Sequence, residues 1–224
     1  MIQSGQATSG ASGSVIVESG SGDAGSGMVR LQAGTSNTND GGILSLEAGS
    51  SKDGSGGDLT TRGGDGMEGG HVSFVAGHGI SQGGGIKLQA GDTSSGTEGG
   101  GVAIMAGAMS GEVIMTGGMS DAMGMNGGRV RIGGGIAGSS GGLGGGVEVM
   151  TGSSASSASG SLLIGSADGL ESGSLAIQSG EGSTGASGDV LLSSGASSEK
   201  SGKVLIGAGI SGDKYGSAVE VQAG

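Results

Sequence analysis

Short apolar runs recur along the whole chain in one frame: Gly-x-φ-x-φ-x-small-Gly, where φ is a large apolar side chain. Clear copies are Gly27-Met28-Val29-Arg30-Leu31-Gln32-Ala33-Gly34 and Gly84-Gly85-Ile86-Lys87-Leu88-Gln89-Ala90-Gly91. Copies begin at residues 13, 27, 42, 57, 70, 84, 100, 111, 128, 145, 160, 173, 188, 202 and 217, with a partial copy from Ile2 to Gly5 before them. The third position is Val, Leu or Ile from Val15 to Val219. The fifth is apolar from Val17 to Val221, apart from Thr61, and includes Phe74 and Met115. The seventh is Ala, Ser, Gly or Thr. Side chains on an extended chain alternate with period two, so positions 3, 5 and 7 share one face. Positions 2, 4 and 6 carry Arg30, Lys87, Glu148, Gln32 and Glu47 and look the other way. The alternation predicts a half-buried strand in each copy. An amphipathic helix is excluded, because no apolar residue recurs at 3.6 and Gly interrupts every turn.

Each copy offers two large apolar residues and a small one, too little to hold one strand, so a stack of strands is expected. Alternate copies are spaced 29, 28, 30, 28, 32, 28 and 29 residues apart, and a short step of 11 is followed by one of 17. This compensation points to an all-β, parallel β-solenoid (β-helix), flattened, with two strands per coil of about 29 residues. The rival is a one-strand coil of about 14–15 residues whose apolar side faces a Gly/Ser wall. Some eight two-strand coils would make a rod about 38 Å long. Residues 1–224 read as a single continuous repeat array of about fifteen units, with no separate caps. The glycines at the segment ends are expected to serve corners that need positive φ or close backbone approach.

Composition sharpens the picture. Gly supplies 61 of the 224 residues and Ser 39. Val, Ile, Leu and Phe make up roughly 18%, a level that by itself favours a poorly packed polymer. The absence of Pro suits a backbone whose N–H groups are widely used as donors. There is no Cys, hence no disulfide or thiolate site. The net charge of −11 disfavours nucleic acid and anionic membrane surfaces. No apolar run approaches a membrane span, and Met1-Ile2-Gln3-Ser4-Gly5 does not open a signal peptide.

Candidate chemistry is sparse. His71 takes an outward second position and His78 opens a linker; Ser and Asp are so abundant that a Ser–His–Asp triple arises by chance, and both read as surface histidines. Gly144-Gly145-Gly146 lacks the following helix that a phosphate loop requires. The linker acids Asp23, Asp40, Asp53, Asp65, Asp92, Asp121, Asp168 and Asp213 do not repeat in register. Gly63-Gly64-Asp65-Gly66-Met67-Glu68 matches only half of a calcium β-roll motif. Met105, Met109, Met115, Met119, Met123 and Met125 cluster where the spacing is least regular. Packing or a lateral contact explains them better than Cu(I). Thr60 and Thr116 are outward but form no rank that would fit ice. No catalytic, cofactor or metal residue is therefore assigned. Leu163, Leu191 and Leu205, all at position 4, form a candidate lateral interface.

From Gly13-Ser14-Val15 to Gln222-Ala223-Gly224 the pattern resembles the Gly/Ser-rich β-solenoid segments of surface, adhesin and fibre proteins of microbes and their viruses. That resemblance implies a parallel β-solenoid used as a stalk or filament, and an extracellular, cell-surface or virion-surface setting is expected. The sparse candidate chemistry gives no reason to expect a cofactor or a small-molecule ligand. Because bare strand edges polymerise unless covered, the chain is expected either to be part of a longer surface or fibre protein or to self-associate end to end. A surface-binding module (ice, glycan or mineral) using one flat face is the alternative. A polysaccharide enzyme is disfavoured: Phe74 and Tyr215 are the only aromatics.

Overall fold

A computed structural model describes residues 1–94, 98–121, 123–138, 141–212 and 217–223. Asp213, Tyr215 and Gly224, named above, lie outside the described residues. The apolar frame is kept as a series of extended eight-residue segments, called octads here, each running from position 1 to position 8. Linkers made of bends and turns join them. The chain divides into two units, Met1–Val113 and Ile114–Gly224. The division falls inside the octad that begins at Gly111.

Among the described residues there is no helix, no strand and no sheet. The expected all-β parallel β-solenoid, with two strands per coil of about 29 residues, is therefore not formed. Neither is the one-strand coil. The half-buried strands are likewise absent, because no described residue is buried. The chain of 20.6 kDa exposes 22456 Å². A folded monomer of that mass exposes about 8,900 Å² and its extended chain roughly 30,000 Å². Most of the surface that folding normally removes from water is still in it.

The physical reason lies in how octads meet. A solenoid needs neighbouring segments to bond along their whole length. Here the bonds are made at the segment ends, where the linkers from Gly34–Gly42 to Gly152–Gly160 close on themselves. Two large apolar residues in 14–15 cannot offset the chain entropy of ordering a coil when nothing lies opposite them. The alternation itself survives. Ser45 and Glu47, at positions 4 and 6 of one octad, point the same way, and the Ser45 hydroxyl donates to Glu47 Oε1 at 3.0 Å.

Candidate functional site

The recurrent structural unit is the base of each linker. The N–H of the first residue of an octad donates to the carbonyl oxygen of the last residue of the octad before it. Nine such bonds run in succession, from Gly42 N to Gly34 O through Gly160 N to Gly152 O, at 2.7–3.2 Å. The donor lies as few as four residues after the acceptor, at Gly107 and Gly111. It lies as many as ten after it, at Gly118 and Gly128 and again at Gly135 and Gly145. The octad is constant; the linker is a closed loop of variable size. The 11 and 17 spacings are therefore absorbed separately, each in its own loop, and do not report a coil.

Closure explains why position 7 is small. A Cβ placed on Gly42, Gly84 or Gly100 would lie 3.3–3.4 Å from the Cβ of Ala33, Ala76 or Ala90, the seventh residue of the preceding octad. Where position 7 is itself Gly, the approach is closer still. A Cβ on Gly63, Gly117 or Gly134 would overlap the carbonyl oxygen of Gly70, Gly128 or Gly145. All nine closing bonds follow an octad with Ala, Gly or Thr at position 7. Serine at that position changes the joint. Ser19 Oγ donates to Gly27 O at 2.9 Å. Ser179 and Ser194 place their Cβ under Gly188 and Gly202, at 3.8 and 3.5 Å from a Cβ built there. The end glycines thus serve close approach. The positive-φ glycines, Gly10, Gly25, Gly124 and Gly141, all sit inside linkers.

The second linker residue selects the turn. Ser36, Ser51, Ser154 and Ser197 each stand two residues past an octad end. Their Oγ atoms accept from the N–H groups of Asn39, Gly54, Ser157 and Glu199 at 3.0, 2.9, 3.0 and 3.2 Å. These are the local hydroxyl turns that make Ser a loop residue. Gly22, Gly66, Gly79, Gly169 and Gly182 hold the same place in other linkers. There a Cβ would press on the carbonyl oxygen of Gly25, Glu68, Gln82, Glu171 or Gly185. The tightest loop has neither device. Met109 (φ 63°) and Ser110 (φ 73°) both take the left-handed conformation between Gly107 and Gly111. Side chains there strain the backbone by about 1–2 kcal/mol per residue.

The octads present a graded face. Position 3 side chains are 46–62% exposed, those at position 5 are 59–91% exposed, and apolar residues at positions 2, 4 and 6 are 71–94% exposed. Positions 3, 5 and 7 carry no charge in any octad; every Asp, Glu, Lys and Arg lies at an outward position or in a linker. One ion pair is formed by Arg62, whose Nη2 donates to Asp65 Oδ1 and Oδ2 at 2.8 and 2.7 Å. Asp65 is thereby held by an arginine, at the place where half of a calcium motif was seen.

Leu163, Leu191 and Leu205 are all exposed at position 4. Stacked two-strand coils would bring Leu163 and Leu191 into one column, and such coils are not formed among the described residues. Met105, Met109, Met119, Met123 and Met125 are exposed as well, while Met115 shares the position 5 face. Among the described residues no group of His, Asp and Glu could hold a metal ion, no cavity opens, and no helix is long and apolar enough to cross a membrane. The sequence pattern had not marked Met67, Ile80 and Leu170. Each is fully exposed at a linker tip directly after Gly66, Gly79 or Gly169. A Gly-apolar step two residues past an octad end is the signal that finds them.

Comparison with family models, with curated proteins and with solved structures finds no match for this chain.

Proposed function

We propose that this chain is a repetitive structural segment that spans distance in a fibre or filament and carries no reaction. The observation that supports this reading is the constancy of the octad across closing steps of four to ten residues. A catalyst or small-molecule receptor concentrates its chemistry at one place. Here the same eight-residue frame recurs from one end of the chain to the other, the same closing joint recurs from Gly34–Gly42 to Gly152–Gly160, and the charged groups sit at outward or linker positions.

A spacer needs repeat and reach, which the chain supplies by length. Its acidic linkers keep such a segment soluble. An extracellular or virion-surface setting fits this role and belongs to the same proposal. Electron microscopy of the purified chain tests it. Thin particles of constant width, lengthening in steps when octads are added, are expected. Compact particles of fixed size, unchanged by added octads, would overturn the reading.

A further inference from the structure

The face at positions 3 and 5 is apolar, uncharged and uncovered in both units. We propose that it is covered by a second copy of this chain, lying parallel and in register. The proposal names the partner for the fibre role above and rests on that reading.

Area is the first argument. Position 3 and 5 side chains keep roughly half to two-thirds of their surface in water, about 50 Å² each. Each unit, taken by itself, therefore offers roughly 700 Å² of apolar surface, close to the ~800 Å² per partner of a standard specific interface. An apolar face of that size, free of charge along its whole length, is unusual on a chain that stays alone in water.

Charge placement chooses the kind of partner. A polyanion or a polycation would seek the charged positions, and these lie off this face. What the face matches is another uncharged row with the same eight-residue frame. The chain itself carries that row about fifteen times.

Register follows from two irregularities. Thr61 is the single polar residue at positions 3 and 5. In register, the Thr61 hydroxyls of two copies meet and can satisfy one another. A parallel alignment shifted by a few octads sets Thr61 against an apolar side chain such as Leu46, Phe74 or Leu88 and leaves its hydroxyl without a partner. An antiparallel alignment centred on Thr61 leaves the second unit uncovered. Loop size is the other irregularity. Among parallel alignments, the four-residue step at Gly107–Gly111 stands beside a closed loop of equal size only when the copies are unshifted, because the other closing steps span six to ten residues. Like charges are then brought near each other in the linkers. Salt should weaken that repulsion and strengthen association.

The chain has no Cys, so one introduced thiol is unique. Leu31→Cys and Leu88→Cys probe the first unit, Ile177→Cys the second, and Thr116→Cys the outward side. Under mild oxidation of the full chain, each of the first three should link to its own copy about tenfold more than the outward control, since a disulfide needs the two Cα atoms within ~7 Å. Mixed samples of Leu31→Cys and Ile177→Cys should give the two like-with-like dimers. Thr61→Val should keep association but let neighbouring octads slip, so that Leu31→Cys links to Leu46→Cys.

Sedimentation equilibrium of the unsubstituted chain should give a mass of two copies or a higher multiple. A monomer at tens of micromolar would overturn the proposal, since a standard interface binds more tightly than that. Links between Leu31→Cys and Ile177→Cys without self-linking would overturn the register. Thin particles by microscopy without self-linked dimers would sink the interface and leave the spacer reading standing. Self-linked dimers in compact particles would do the reverse.

Discussion

Octads and linkers occupy the chain in nearly equal shares and obey opposite rules. Every octad has eight residues, apolar side chains at positions 3 and 5 apart from Thr61, and a small residue (Ala, Ser, Gly or Thr) at position 7. Linkers run from the four-residue step at Gly107–Gly111 to the ten-residue steps at Gly118–Gly128 and Gly135–Gly145. One kind of bond separates the two regimes: first-residue N–H to last-residue carbonyl, at 2.7–3.2 Å. The contrast shows how an irregular sequence can carry a regular element. Variation is admitted where a loop can bulge into water and refused where glycine must lie against a small neighbour.

The sharpest way to break this contrast is to place one charge in each region. Val102→Asp, at position 3, should weaken self-association about 100-fold, because it sets a carboxylate against the apolar row of the partner. Ile136→Asp, in a linker, should leave it unchanged. Equal effects in analytical ultracentrifugation would erase the distinction between the regions.

The joint is the next most sensitive place. Gly134→Ala drives a methyl group onto the Gly145 carbonyl, whereas Gly138→Ala meets nothing within 4 Å. The first should open the loop at a loss of about 1–3 kcal/mol, and the second should be silent. Hydrogen exchange at the Gly145 amide reads both. Strain predicts a gain of smaller size. Met109→Gly should relieve the left-handed backbone of the shortest loop and stabilise its closure by about 0.5–1 kcal/mol, read as slower exchange at the Gly111 amide. Smallest of all, Ser51→Ala removes one exposed turn bond. It should speed exchange at the Gly54 amide by a factor of about two, at the low end for a hydrogen bond.

Much of the octad was legible in the chain. Alternation at Val29 and Leu31, or at Ile86 and Leu88, identifies one face. The small residues Ala33, Ala48 and Ala90 announce a close approach that the structure places against the next octad. The assembly of octads was not legible. A step of 11 followed by one of 17 looks like compensation within a coil of fixed length. In the structure the short step is the strained Gly107–Gly111 loop and the long one the Gly118–Gly128 loop, and neither depends on the other. Residue spacing measures contour length, and a loop tied at its base contributes none of that length to the path between octads. Alternation overstates sheet formation for a related reason. Alternation reports which side of an extended chain is apolar, and it is silent on whether the covering surface comes from the same chain.

The tied loop also bears on how such a chain can change over generations. Closing ten residues rather than four adds only about 0.8 kcal/mol of chain entropy. Insertions and deletions between octads should therefore drift almost freely, while a single added residue inside an octad turns its apolar face over. Linkers are then the natural ports for foreign peptides, epitopes or affinity tags, repeated along the molecule at whatever density the designer chooses.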